Sequence, residues 1–237
     1  MTLLYEGKAK RMWTTDTPGT LRMEFKNDAT AFNGEKKASF ENKGRFNSAI
    51  SSLIYEMLEK RGVPTHFVRQ IDETNVEVRK VEILMVEVIV RNVAAGSFCK
   101  RTGVEEGREF NQPVIEFSYK SDELGDPLIN DDYIREMGLA TPEEMEHLRK
   151  SALVVNRLLS EFFAGCGLRL IDFKLEFGRL VSDPSRIVLA DEISPDGCRL
   201  WDIKTGERMD KDRFRRDLGN LMEAYEEVLE RVRKNLE

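Results

Sequence analysis

Histidine, cysteine and long apolar runs are scarce in this chain of 237 residues. Only two histidines occur, His66 and His147. His147 stands among charges on an expected helix and His66 in an expected strand. Histidine acid–base chemistry and a Ser–His–Asp triad are therefore not expected. Three widely spaced cysteines, Cys99, Cys166 and Cys198, form neither a CxxC pair nor a Cys/His cluster. That speaks against a disulfide framework and a zinc site, and it fits unpaired thiols in a reducing cytoplasm. No apolar run reaches the roughly 20 residues of a membrane span. The first eight residues lack the apolar core and cleavage site of a signal peptide. Basic excess is missing too: the net charge is −6, which argues against nucleic acid as a partner while leaving room for a local basic pocket. The Walker A pattern GxxxxGK[ST] does not occur, nor do internal repeats.

What is there is charge on a foldable background. Hydrophobic residues make up 41%, enough for a sizeable core, and the length permits one large domain or two small lobes. Short strands are expected at 3–5, 11–14 and 21–25, separated by Gly7 and by Thr17-Pro18-Gly19. A helix over 43–61 carries the stripe Phe46, Ile50, Leu53, Ile54, Met57 and Leu58, and Gly62 with Pro64 ends it. Strands follow at 66–69 and 76–79. The run 81–90, apolar except at Glu82 and Glu87, reads as a buried strand crossing between two halves, with the boundary near Met85: 1–85 and 86–237. Thr141-Pro142-Glu143-Glu144 is a capping box with proline at the first helical position. The last helix is expected over 211–235 with the stripe Phe214, Leu218, Leu221, Met222, Tyr225, Val228, Leu229 and Val232. Strands and helices do not alternate regularly, so the class is α+β.

The most informative stretch is Leu170-Ile171-Asp172-Phe173-Lys174-Leu175-Glu176-Phe177-Gly178. Its alternation is that of a strand. Ile171, Phe173, Leu175 and Phe177 would face a core. Asp172, Lys174 and Glu176 would line the other face, with neighbours roughly 6.5 Å apart. Ile187-Val188-Leu189-Ala190 follows within a hairpin's reach and ends in Asp191-Glu192. Glu176 and Asp191 side by side would suit Mg²⁺, which takes oxygen ligands and keeps water. The same pattern also describes a solvated strand face with a weak ion-pair ladder.

Three other segments can meet an anion. Gly7-Lys8-Ala9-Lys10-Arg11 joins a turn to clustered cations, although flanking surface lysines on a plain turn would read the same. Arg91-Asn92-Val93-Ala94-Ala95-Gly96-Ser97 leaves a buried strand and offers a guanidinium, a hydroxyl and backbone donors. Asp191 through the Ser194-Pro195-Asp196-Gly197 turn delivers Arg199, either as a simple hairpin or beside the Glu176/Asp191 pair.

Together these residues resemble the SAICAR synthetase family. The two signature segments are the run from Leu84 to Ser97 and the strand 170–178. Further matches are Tyr5-Glu6-Gly7-Lys8-Ala9-Lys10, Asn27-Asp28-Ala29-Thr30-Ala31-Phe32-Asn33-Gly34, Asp191 through Asp202, and Met209-Asp210-Lys211-Asp212-Arg213-Phe214-Arg215. One departure is Met85, where the family usually has proline. The resemblance implies a two-lobed α+β fold, its N-terminal lobe kinase-like and its C-terminal part ATP-grasp-like. It implies a cytoplasmic ligase using ATP and Mg²⁺ to join L-aspartate to the carboxylate of CAIR, giving SAICAR, ADP and phosphate. By the same resemblance Lys8, Ala9, Lys10, Val81, Ile83 and Lys120 would meet ATP. Arg91, Ser97, Arg199 and Arg215 would hold the ribotide. Glu176 and Asp191 would hold magnesium, Lys174 the transferring group, and Asp172 would bind substrate or orient Lys174. A homodimer is expected, with no nucleic acid or membrane partner. Two rivals stand beside it: a small-molecule kinase on a related scaffold, and a nucleotide-sensing module docking through its last helix.

Overall fold

The computed structural model describes every residue except 32 and 33. β1 (Leu3–Glu6), β2 (Lys10–Thr14) and β3 (Thr20–Phe25) form where alternation placed them. With β6 (Phe67–Gln70) and β7 (Asn75–Arg79) they make an antiparallel sheet in the order β1-β2-β3-β7-β6. A separate hairpin joins β4 (Asp28–Ala31) to β5 (Lys36–Ser39). Phe32 and Asn33 of the segment 27–34 lie outside the described residues.

The second sheet is built around β12 (Leu168–Leu180). Along one edge it pairs with β9 (Val86–Val93) and then β8 (Val81–Ile83). Along the other it pairs with β14 (Cys198–Asp202) and then β13 (Asp183–Ala190). Beyond β9 lie β10 (Glu109–Tyr119) and β11 (Leu128–Ile129). The run 81–90 is thus two strands rather than one. Leu175 faces Val88, yet Gly178 faces Ile83 where an unbroken ladder would bring Met85. The two-residue slip falls at Leu84 and Met85. Leu84 turns into the core, and Met85 is exposed.

β12 also departs from simple alternation. Its register slips between Leu170 and Asp172 against β14. Leu170, Phe173, Leu175 and Phe177 reach the main core, whereas Ile171 packs with Val93, Ala95 and Trp201 in a small cluster of its own. Asp172 and Glu176 are buried rather than solvated, because the strand is covered on both faces.

Helix α1 (Lys43–Lys60) ends as expected, with Gly62 left-handed at φ +84°. It buries more than its apolar stripe. Lys43, Asn47, Ser48, Ser51 and Ser52 are buried as well, while Leu53 is only partly so. The helix reaches across to β13, where Tyr55 donates to the Ala190 carbonyl (2.7 Å). Short α2 (Ser97–Thr102) and α3 (Asp131–Glu136) precede α4 (Pro142–Gly165). In α4 the Glu144 N–H donates to Thr141 Oγ1 (3.2 Å) and the Thr141 N–H to Glu144 Oε2 (2.8 Å), so the predicted capping box forms.

The expected last helix is broken. It becomes a single turn, α5 (Asp212–Arg215), and then α6 (Leu221–Leu236). Asp217, Gly219 and Asn220 adopt φ of +54°, +73° and +49°, which interrupts the helical ladder. Leu218, expected in the buried stripe, is 48% exposed as a result. Phe214, Leu221, Tyr225, Val228, Leu229 and Val232 are buried. One apolar core runs through both sheets and joins α1, α4 and α6. Among the described residues no helix is long and apolar enough to cross a membrane.

Candidate active site

The register of β12 assembles two charged clusters. In the first, the Lys174 ammonium donates to Glu87 Oε1 (2.9 Å) and to Glu176, and it lies 3.6 Å from Asp191 Oδ2. Glu176 stands opposite Ala190, so Asp191 leaves β13 beside it. Asp191 then turns with φ +63°, an uncommon left-handed conformation that aspartate tolerates better than most. Lys120, just past β10, donates to Glu176 Oε1 (2.9 Å). Lys10 reaches over from the β1–β2 turn to pair with Asp191 and with Glu192 Oε1 (3.0 Å). Lys8 on the same turn pairs with Asp122 (2.8 Å). The turn of the first sheet therefore spans the charged face of the second. Ala9 lies within it, and its carbonyl accepts from the Lys26 N–H (2.8 Å).

Burial alone would lower the Lys174 pKa. Glu176, Asp191 and Glu87 outweigh that and hold it well above the ordinary lysine value. Lys10 is raised in the same way by Asp191 and Glu192 against burial. Burial would raise the Asp191 carboxyl, but Lys10 and Lys174 hold it far below the usual carboxylate range. These groups are fixed charges at neutral pH. Lys174 can neutralise anionic oxygens but cannot serve as a base.

The second cluster sits toward the start of β12. Arg91 on β9 donates to Asp172 Oδ2 (2.7 Å), Glu116 Oε2 (2.8 Å) and Ser97 Oγ (3.2 Å). Arg199 on β14 donates to both Asp172 oxygens (3.0 and 2.8 Å) and to Asp212 Oδ2 (2.9 Å). Arg215 donates to Asp212 Oδ1 (2.7 Å). Gly96 at φ +55° lies so close that a Cβ there would stand 2.3 Å from Arg199 Nη2. Glycine is what allows this approach.

The fold thus brings Lys10, Lys120, Lys174, Glu176 and Asp191 into one cluster and Arg91, Ser97, Arg199 and Arg215 into another, while Lys8 pairs with Asp122 instead. Asp172 does not orient Lys174 as one expectation had it. Its carboxylate is taken up by Arg91 and Arg199, and Glu87 and Glu176 hold Lys174. Val81 and Ile83 are on β8, whose second edge has no strand partner among the described residues. Glu87 and Glu192 were missed as site residues. Glu87 had a signal, being an acid set inside the apolar run 86–90. It accepts from Ser118 Oγ (2.9 Å) as well as from Lys174. Among the described residues no group of three or more His, Cys, Asp or Glu side chains is arranged to hold a metal.

A lysine- and carboxylate-lined face under a glycine-bearing turn, next to an arginine cluster, defines an enzyme class that handles phosphate groups on a mixed α and β fold. Comparison with known proteins narrows this. The family model for SAICAR synthetase matches residues 3–232. The phosphoribosylaminoimidazole-succinocarboxamide synthase of Akkermansia muciniphila is 66% identical over 229 residues, 97% of each chain. The crystal structure of that synthase from Ehrlichia chaffeensis matches with TM-score 0.96 at 44% identity, over 98% of both chains. A solved SAICAR synthetase (Type-2) in complex with ADP matches with TM-score 0.92 at 47% identity, over 96% of both. The chain belongs to the SAICAR synthetase family, ATP-dependent ligases of purine biosynthesis.

Proposed function

We propose that the two clusters divide the reaction, the first taking ATP and the second the ribotide CAIR, with L-aspartate entering between them. The carrying observation is that Glu176 and Asp191 converge on one ammonium, Lys174, beneath the turn that bears Lys8, Ala9 and Lys10. That turn covers the phosphates. Backbone groups of Val81 and Ile83 on the open edge of β8 hold adenine, and Lys120 lies near the nucleotide. The ADP complex of the related synthetase supports a nucleotide in this family's fold.

Two carboxylates within reach of one cation suit Mg²⁺, which commonly binds through one or two carboxylates plus phosphate oxygens and water. Glu176 and Asp191 would hold it, and it would neutralise charge on the transferring phosphoryl group. Lys174 adds a fixed positive charge there. Arg91, Ser97, Arg199 and Arg215 grip the ribotide phosphate, with Asp172 and Asp212 holding Arg199 in place.

A carboxylate is a poor electrophile, so activation comes first. A CAIR carboxylate oxygen attacks the γ-phosphorus, the bond to the bridging oxygen breaks, and ADP leaves with that electron pair. The aspartate amine then attacks the acyl carbon, expels phosphate and loses a proton. Such transfer depends on positioning and charge neutralisation rather than a protein nucleophile, which suits a site without histidine ligands or bases.

The first sheet, with residues 1–85, serves as a kinase-like nucleotide-covering lobe, and 86–237 as an ATP-grasp-like substrate lobe. The protein works in the cytoplasm, consistent with three free cysteines, and assembles as a homodimer. A coupled ADP assay tests the function: ADP forms only when CAIR and L-aspartate are both present. Release with CAIR alone at the full rate would point to a kinase instead, a reading the comparisons do not favour.

A further inference from the structure

Helix α1 buries polar side chains where a helix against a core would carry apolar ones. Lys43, Asn47, Ser51 and Tyr55 recur every four residues, so they share one face, and all four are buried. Buried polar groups are costly unless hydrogen-bonded, so their partners show what the face is for. Three of the four reach the segment that follows β13. The Tyr55 hydroxyl donates to the Ala190 carbonyl (2.7 Å), Ser51 Oγ accepts from the Ile193 N–H (3.2 Å), and Lys43 Nζ donates to Asp196 Oδ2 (2.5 Å). Asp196 is held further along as well. The Tyr225 hydroxyl donates to its Oδ1 (2.7 Å), and Lys211 lies 3.6 Å from its Oδ2.

The segment so gripped carries Asp191. β13 and its ladder with β12 end at Ala190, opposite Glu176. Beyond that point side chains from a distant stretch hold the backbone: Tyr55 at the Ala190 carbonyl, His66 Nε2 at the Asp191 carbonyl (3.1 Å), and Ser51 at the Ile193 N–H. Tyr55 and His66 also meet edge to face, with ring centroids 5.6 Å apart. Residues paired directly across two strands share a face, so Ala190 and Glu176 point the same way. An extended continuation of β13 would send Asp191 to the opposite face. Asp191 is instead left-handed at φ +63°, and its carboxylate comes round to Lys10 and to within 3.6 Å of Lys174, on the Glu176 side. Such a backbone is unfavourable for a residue with a Cβ and persists only where the surroundings over-determine it. Hydrogen bonds at the residues before and after Asp191, and at its own carbonyl, supply that.

We infer that Tyr55 and Ser51 on α1 are positioning residues, which hold the left-handed turn at Asp191 and so aim its carboxylate beside Glu176. This rests on the reading of Asp191 as a metal ligand. The test is Mn²⁺ binding to the full chain in the presence of ADP, followed by electron paramagnetic resonance of the free ion, together with ADP formation as Mg²⁺ is varied. Tyr55→Phe keeps the ring and removes one buried hydrogen bond. It should weaken Mn²⁺ binding about three- to tenfold and raise the Mg²⁺ concentration for half-maximal rate by the same factor. Turnover at saturating Mg²⁺ and KM for CAIR should stay within about twofold of wild type. Ser51→Ala should shift both metal readouts the same way, and it decides should Tyr55→Phe fold poorly. Ser48→Ala removes a buried hydroxyl of the same helix that has no hydrogen-bond partner among the described residues, and it should change neither readout. Wild-type Mn²⁺ affinity in the deciding variant, or an equal loss in Ser48→Ala, would overturn the proposal. Asp191→Asn separates the two readings. If it too binds Mn²⁺ as wild type does, the metal assignment fails and the positioning role falls with it. If it loses Mn²⁺ while the α1 variants do not, the metal assignment stands and only the role of α1 falls.

Discussion

Glu176 and Asp191 carry the sharpest prediction at the scale of single residues. Glu176→Gln and Asp191→Asn should each lower kcat on the order of 10²–10³-fold, as loss of a group that stabilises developing charge commonly does. Circular dichroism should show the fold retained, since Lys174 keeps partners in Glu87 and the remaining carboxylate. Near-normal turnover at saturating Mg²⁺ in either variant would sink the metal assignment. Arg199→Ala should raise KM for CAIR far more than KM for ATP, because the guanidinium belongs to the cluster on Asp172 and Asp212. Equal rises would assign Arg199 to structure alone. At this scale the sequence was informative wherever chemistry is carried by residue type. Lys, Glu, Asp and Arg stand out against apolar neighbours, and Lys174, Glu176, Asp191 and Arg199 were all legible. Pairing was not. That Asp172 serves two arginines from β9 and β14 follows from strand neighbours brought together over 81 and 27 residues of chain.

Among the elements, β8 and β12 approach closely at Gly178. A Cβ on Gly178 would meet Val81 Cβ at 2.8 Å and the Glu82 carbonyl oxygen at 3.0 Å, so Gly178→Ala must push β8 away. On the proposal that backbone groups of β8 hold adenine, KM for ATP should rise severalfold while KM for CAIR changes little. Parallel shifts in both would place adenine elsewhere. Elements with strong local signals, such as the capped α4 and α1 with its terminal glycine, were readable because their caps and stripes are encoded within a few residues. The break between α5 and α6 was not. The apolar spacing continues across it, and only the left-handed backbone at Asp217, Gly219 and Asn220 ends the helix. The slip at Leu84 and Met85 escaped for a similar reason. It is a property of register against β12, not of the run itself.

Over the whole molecule, His66 ties the start of β6 in the first sheet to the end of β13 in the second. Its N–H donates to the Leu189 carbonyl (2.8 Å), and Nε2–H donates to the Asp191 carbonyl (3.1 Å). Burial, the largest influence, and Lys10 hold its pKa down at about 4, against 6.5 for the ordinary group. The unfolded chain binds this proton more readily, so stability is present in full above pH 6.5 and declines as pH falls toward about 4. The loss should reach the order of 3 kcal/mol at the acid end. Urea unfolding at pH 7 and pH 5 checks this. His66→Gln should lose less stability than wild type over that interval, and parallel curves would discount the histidine. By itself the sequence determined the chemistry on offer, the α+β class and the strongest helices and strands, because residue type and short-range periodicity are local. Only the tertiary structure decided which charges meet, where ladders slip, and that Lys43, Asp196 and Lys211 share one buried site. Those outcomes depend on contacts between distant segments, whose geometry no local pattern encodes.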